Sequence, residues 1–252
     1  MATVSIQARG NTHVGRVRSS NQDSYLCDDK RFLYVVADGM GGHAGGEIAS
    51  SLAVLNIRNY VDRNLPEILK TELHHPDSRV SLVLADAINH ASEKIYERGL
   101  EEPVLKGMGT TATTVRIVDS TAYCSHVGDS RLYLIRCGYI YQVSTDHSLV
   151  SEQIRAGLIT KEEAEKHHLR NVITRSVGYQ ENEDVDTYAV NLEDGDLLVI
   201  CSDGLHGKIS DRQLADLANQ YRSLGVDHLI AAANSAGGDD NISVIITDIK
   251  IS

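Results

Sequence analysis

Asp38 ends the apolar run Val35-Val36-Ala37, and Gly39-Met40-Gly41-Gly42-His43-Ala44-Gly45-Gly46 follows before a helix-like segment begins at Glu47. A carboxylate at a strand end presents its oxygens at the rim of a sheet. Glycine beside it lets the backbone come close to whatever those oxygens hold. Asp203-Gly204 repeats the arrangement and Gly128-Asp129 reverses it. An Asp-Gly step is first of all a hairpin turn. Asp194-Gly195 fits that reading, with strands on both sides, and Gly128-Asp129-Ser130 fits it too, so spacing does not single out Asp129. Asp38 and Asp203 fit it poorly, because each leads on to a helix rather than a partner strand; strand-end acids of that kind are suited to holding cations or substrate. Asp239-Asp240-Asn241, in a loop after Gly237-Gly238, reads by itself as a solvated loop.

Two other patterns carry chemistry. Gly39-x-Gly41-x-x-Ala44 matches a loose dinucleotide fingerprint between a strand and a helix. The acid directly before its first glycine would repel a pyrophosphate, and the surrounding elements read as antiparallel. Arg18, five residues before Asp23, reads either as half of a surface ion pair or as a phosphate clamp, whose planar guanidinium grips two oxygens at once.

The elements that must position these residues are set by composition and period. The chain has 252 residues, 42% hydrophobic and 23% charged, with one Phe and no Trp, so its core is built from Val, Ile, Leu and Ala. Its net charge of -11 disfavours nucleic-acid binding. Cys27, Cys124, Cys137 and Cys201 form no Cys-x-x-Cys pair and read as buried free thiols rather than a zinc site. No leader-like segment and no run of membrane-spanning length is visible, so a cytoplasmic, monomeric protein without membrane or nucleic-acid partners is expected.

Alternation predicts strands over 3–9, 24–27 and 31–37, and helical spacing predicts helices over 47–65 and 79–98, with Pro66 and Pro76 bracketing their connection. Residues 110–117, 122–127, 132–135 and 139–143 read as an antiparallel meander. Residues 147–178 turn helical and polar; Thr160-x-x-Glu163 and Ser210-x-x-Gln213 have capping-box form. Strands over 187–192 and 197–201 flank Asp194-Gly195, helices over 211–220 and 226–236 follow, and a strand over 242–248 closes the chain. Strands and helices cluster rather than alternate, which predicts an α+β fold of antiparallel sheets in one domain spanning 1–252.

Read in order, six blocks resemble one known family: Arg18-x-x-Asn21-Gln22-Asp23, Val36-Ala37-Asp38-Gly39-Met40-Gly41-Gly42, Gly109-Thr110-Thr111, His126-Val127-Gly128-Asp129-Ser130-Arg131, Cys201-Ser202-Asp203-Gly204-Leu205 and Asp240-Asn241-Ile242-Ser243. They resemble the signature blocks of the metal-dependent type 2C serine/threonine protein phosphatases. The Asp-Gly-Met-Gly-Gly form resembles the bacterial branch. The resemblance implies a four-layer α/β/β/α sandwich, two antiparallel sheets flanked by helix pairs. It implies hydrolysis of phosphoserine and phosphothreonine in phosphorylated proteins or peptides, by direct attack of a water activated at a binuclear Mg²⁺ or Mn²⁺ centre. A third, weaker ion is implied as well. By motif position Asp38 is expected to bridge the two core ions, the Gly39 carbonyl to ligate one, and Asp203 and Asp240 to hold the other. Asp129 is expected to join Asp203 at the third ion, Asp23 to accept hydrogen bonds from metal-bound water, and Arg18 to hold the substrate phosphate.

The resemblance also places a flap subdomain at about residues 147–178, carrying Arg155, Lys161, Lys166, Arg170 and Arg175 among Glu152, Glu162, Glu163 and Glu165. Many eukaryotic members carry a histidine after the Asp-Gly; here Met40 stands there and has no proton to give. His43 and His126 read as structural histidines, and His74-His75 and His167-His168 as solvated ones. Two other classes compete: a catalytically silent phosphoprotein- or metal-binding module, and a dinucleotide-dependent oxidoreductase resting on the glycine run alone.

Overall fold

Alternation along residues 33–38 decides the architecture. In the computed structural model, which describes residues 3–41, 45–70 and 76–252, Leu33, Val35 and Ala37 pack into one apolar layer while Tyr34 and Val36 pack into another. A strand buried on both faces has to lie between two layers. In chain order, β1 (Val4–His13), β2 (Asp23–Asp28) and β3 (Leu33–Met40) precede two long helices, α1 (Gly45–Lys70) and α2 (Pro76–Glu101). Short strands follow: β4 (Gly109–Thr110), β5 (Ala112–Val118), β6 (Thr121–Val127), β7 (Arg131–Arg136) and β8 (Tyr139–Gln142). Two short helices, α3 (Leu149–Arg155) and α4 (Lys161–Glu165), come before β9 (Asp186–Asn191) and β10 (Leu197–Cys201). The chain closes with α5 (Asp203–His206), α6 (Asp211–Tyr221), α7 (Val226–Ser235) and β11 (Ile242–Ile251).

One sheet has the order β2-β3-β5-β6-β9, with β4 paired to β3; the other has the order β1-β11-β10-β7-β8. Every pairing is antiparallel. α1 and α2 cover the outer face of the first sheet, where Ala49, Ala53, Ile57, Ala87, Ala91 and Ile95 meet Leu33, Val35 and Ala37. α6 and α7 cover the second, with Leu214, Ala218, Leu229 and Ala233 against Val199, Cys201, Val244 and Ile246. Between the sheets, Tyr34, Val36, Val115 and Ile117 pack on Leu198, Ile200, Ile245 and Ile249. The layers therefore run helix, sheet, sheet, helix, as the resemblance implied. The dinucleotide reading fails here, because β3 is flanked on both sides by antiparallel neighbours. Among the described residues no helix is long and apolar enough to cross a membrane.

Four expectations are corrected. The meander over 110–143 is cut in the middle: β6 belongs to the first sheet and β7 to the second, so Gly128-Asp129 crosses between sheets instead of closing a hairpin. Asp194-Gly195 does the same between β9 and β10. Both turns use a left-handed glycine, which is why they look like hairpin turns in the sequence. Pro66 lies inside α1 rather than after it. It forfeits one backbone bond to residue 62, but Val61 and Leu65 stay buried against the core on either side of that loss, and packing keeps the helix going. Cys137 is exposed in the β7–β8 turn, whereas Cys124 and Cys201 are buried and Cys27 is partly so; all four are free. The Thr160–Glu163 capping box makes both of its bonds, and Ser210 accepts from the Gln213 amide at 3.3 Å. His43 and the His74-His75 pair lie outside the described residues.

Candidate metal centre

The inter-sheet layer changes character at one end. On β3 the inward series is Tyr34, Val36 and then Asp38; on β10 it is Leu198, Ile200 and then Ser202 in the next position. Cross-strand partners share a face, and the register sets Asp23 directly opposite Asp38. Two acids thus enter a layer that is mostly apolar along its length. Asp203, on the first turn of α5 just beyond Ser202, approaches Asp38 closely enough to share a hydrogen bond.

Local structure holds each acid in place. The Asp38 amide donates to Thr111 Oγ1 at 2.9 Å, and the Asp38 carbonyl accepts from the Thr111 amide at 2.8 Å. Thr111 Oγ1 in turn lies 2.8 Å from Ser130 Oγ, beside Asp129. Ser202 Oγ donates to Asp23 Oδ2 at 2.8 Å and accepts from the Ser243 amide at 2.9 Å. Gly39 is required by close approach: a Cβ there would collide with the Gly46 carbonyl oxygen in the first turn of α1 and come within 2.5 Å of the Gln22 carbonyl oxygen. Asp240 lies in the loop before β11, where its Oδ1 accepts from the Asn241 amide at 2.8 Å and its Oδ2 from Arg18 Nη2 at 2.7 Å. The Arg18 guanidinium is held above its usual range by that pairing, reinforced by Asp203 and Asp38.

Crowding carboxylates together out of water raises their affinity for protons. Asp38 is pushed well above the usual range, first by burial and then by repulsion from Asp23, Asp203, Asp129 and Asp240. Burial carries Asp23 up to about 6, against the pull of Ser243 and Ser202. Burial, then Asp203 and Asp146, carries Asp129 up to about 7. Asp203 is raised by burial and Asp240, with Asp38 and Arg18 acting the other way. Keeping Asp23 ionised at neutral pH costs on the order of 3 kcal/mol, since each tenfold change in proton affinity is worth about 1.4 kcal/mol. The nearby Arg131 brings little relief. It is already matched by Asp146, with Nε to Oδ1 at 2.9 Å and Nη2 to Oδ2 at 2.7 Å.

The residues present fit hard divalent cations. Asp23 Oδ1 and Asp203 Oδ1 are buried with no hydrogen-bond partner, and the donors are all oxygens, the set that Mg²⁺ and Mn²⁺ prefer. Among the described residues no group of three or more acidic, histidine or cysteine side chains is closed tightly enough to grip an ion without adjustment.

The protein phosphatase 2C family model matches residues 9–236. The chain belongs to the protein phosphatase 2C family. Protein phosphatase PhpP of Streptococcus pneumoniae serotype 2 is 37% identical over 245 residues, covering 95% of this chain and 96% of that protein. The serine/threonine phosphatase PstP/Ppp of Mycobacterium tuberculosis superposes with a TM-score of 0.85 at 31% identity, covering 97% of this chain and 99% of that one. A PstP catalytic domain in complex with two manganese ions superposes with a TM-score of 0.85 at 29% identity, covering 98% of this chain and all of that one. As a member of the bacterial branch of this phosphatase 2C family, the chain is a metal-dependent protein phosphatase.

Several residues that hold this phosphatase site went unremarked in the sequence. Asn241 accepts from the Gln22 amide at 2.8 Å and donates to the Val14 and Ser20 carbonyls, both at 2.9 Å, tying the Arg18 loop to Asp240. Thr111, Ser202 and Asn241 lay inside the resembling blocks, and their side-chain oxygens were the available signal. His206 is half-buried, desolvation pulls its proton affinity down to about 3 so that it is neutral, and its Nε2 donates to the Asp129 carbonyl at 3.0 Å. Its position three residues after Asp203 was the only hint. His126 is buried as expected, with Nδ1 on Thr113 Oγ1 at 3.0 Å, but its Nε2 has no partner. His167 and His168 stack with ring centroids 4.7 Å apart.

Proposed function

We propose that the protein hydrolyses phosphoserine and phosphothreonine in phosphorylated proteins, with Asp38 at the centre of its ion-binding site. Divalent Mg²⁺ or Mn²⁺, when bound, supplies a nucleophilic water near neutral pH and offsets charge on the transferring phosphoryl group. Two core ions and a third, weaker one are assigned to this chain by the resemblance, with two manganese ions in the PstP catalytic domain as support. Asp38 and the Gly39 carbonyl would hold one core ion. Asp38, Asp203 and Asp240 would hold the other, and Asp129 would share the third with Asp203. Asp23, fixed opposite Asp38 by the β2–β3 register, accepts hydrogen bonds from the solvent that enters the site. Arg18 presents two N–H groups to the phosphate oxygens, a planar fork that selects a phosphomonoester over a monovalent anion. Met40 donates no proton, so the leaving serine or threonine oxygen takes its proton from solvent. The carrying observation is the change at one end of the inter-sheet layer from mostly apolar residues to facing acids, beside an Arg18 that is paired with Asp240.

Residues 1–252 act as one phosphatase domain in this reading, a cytoplasmic monomer whose 147–178 segment borders the site and touches the phosphopeptide. Phosphate release from a phosphothreonine peptide decides the matter. It should require Mn²⁺ or Mg²⁺, stop with EDTA, and be lost in Asp203→Ala. Wild-type turnover in Asp203→Ala would exclude this assignment of the site. A catalytically silent module would release no phosphate under any of these conditions.

A further inference from the structure

The turn that carries Asp129 is held from behind by a residue with no place in the scheme above. His147 is buried, only 1% exposed, and cannot touch substrate. Its backbone amide donates to the Gly128 carbonyl at 2.7 Å, and the Gly128 amide donates back to His147 Nδ1 at 3.1 Å. Gly128 sits at φ +109° with Thr111 packed where a Cβ would go, so this reciprocal pair grips a turn that has little freedom of its own. Because Nδ1 accepts, the ring proton must be on Nε2. That nitrogen faces Asp186 Oδ2 at 3.2 Å. Arg175 also lies against the ring, but it spends its own N–H groups on Asp186 Oδ1 at 2.8 Å and the Asp184 carbonyl at 3.0 Å. The His126 ring packs on the other side, with centroids 4.9 Å apart.

The backbone of the same residue closes the base of the 147–178 segment. The His147 carbonyl accepts from the Thr174 amide at 2.8 Å, and Ser148 bridges to Ile173. Further on, Val177 pairs with Thr110 through bonds of 2.9 and 2.8 Å, next to the threonine that fixes Asp38. We propose that His147 is a positioning residue of the phosphatase reaction. One ring nitrogen fixes the Asp129 turn, the other anchors the 147–178 segment through Asp186, and segment and acid are thereby coupled. This rests on the assignment of Asp129 to an ion and of the segment to the peptide.

Three variants separate the two contacts. In His147→Asn the amide falls where Nδ1 was and keeps an acceptor for Gly128; in His147→Gln it falls where Nε2 was and keeps a donor for Asp186. Asp186→Asn, at the rim, loosens the segment without disturbing the buried ring. Hydrogen exchange, Mn²⁺ calorimetry and steady-state kinetics are read together on the full chain. His147→Gln should speed amide exchange at 127–130, weaken the last Mn²⁺ step and lower kcat, each by about tenfold, as loss of a supporting contact does elsewhere, with peptide KM nearly unchanged. His147→Asn and Asp186→Asn should instead speed exchange across 149–173 and raise KM for the phosphopeptide by about tenfold, sparing turnover of p-nitrophenyl phosphate. Identical profiles for His147→Asn and His147→Gln, or unchanged exchange at 127–130 in His147→Gln, would overturn the proposal and leave His147 as core packing. Asp129→Ala is run alongside. Wild-type Mn²⁺ binding in that variant would refute the Asp129 assignment, while the exchange data still decide whether His147 couples the two regions.

Discussion

Aspartate is a common residue; Asp38 is set apart by the alternation that carries it between two sheets, opposite Asp23 and beside Asp203. Its carboxylate is destabilised by burial and by its own kind, so removing the charge should act in two opposite ways. Asp38→Asn is expected to raise the melting temperature in EDTA by about 2–4 °C for each kcal/mol of repulsion relieved, and to abolish both the Mn²⁺-dependent rise and phosphate release. Calorimetry with and without Mn²⁺ checks this; a lower melting temperature in EDTA would show that the acids do not repel as described. Arg18→Ala should raise KM for a phosphothreonine peptide by about tenfold with a smaller fall in kcat, because Arg18 grips phosphate in ground and transition states alike. At this scale the sequence showed Asp38 and Asp203 by their strand-end positions. It could not separate Asp129 from a hairpin residue, because a left-handed Gly-Asp step looks the same whether the chain turns back into its own sheet or crosses to another.

Elements meet at glycine. The first turn of α1 lies against the end of β3 with no room for a methyl group at Gly39. Gly39→Ala should therefore destabilise by about 1–3 kcal/mol, the usual penalty for overpacking, and lower the melting temperature by roughly 2–4 °C per kcal/mol. It should also lower activity, since the shift falls on the residue next to Asp38; a variant as stable as wild type would show that α1 yields. The sequence marked this glycine as a place where backbone comes close, without saying that a helix is what comes close. Pro66 was misread for a related reason. Proline's local penalty is legible in one residue, but the burial of Val61 and Leu65 that outweighs it belongs to the α1–α2 layer.

Across the whole molecule, folding gathers acids that the unfolded chain keeps apart in water. Asp23 near 6 and Asp129 near 7 both lie above the ordinary carboxylate value of 3.8, so the folded, ion-free protein holds protons that the unfolded chain has already released. Stability without ions should thus fall as pH rises from about 4 through about 7. Bound divalent ions must displace those protons, and the gain in melting temperature on adding Mn²⁺ should be larger at pH 7.5 than at 5.5. Near a hundredfold excess over Kd that gain corresponds to about 2.7 kcal/mol. Thermal scans at the two pH values, with Mn²⁺ and with EDTA, test it; an equal gain at both would mean that ion binding does not act on the protons of Asp23 and Asp129. The order of blocks, the periods of strand and helix, and the scarcity of aromatics were enough to settle the family-like pattern, the element types and an aliphatic core, because each depends on residues close together in the chain. Only the tertiary structure decided which sheet each strand joins, that Gly128-Asp129 passes between sheets, and that His147 and His206 stand behind Asp129. Those contacts link residues far apart in the chain and bury the two sheets against each other and against their helices, and no local spacing records them.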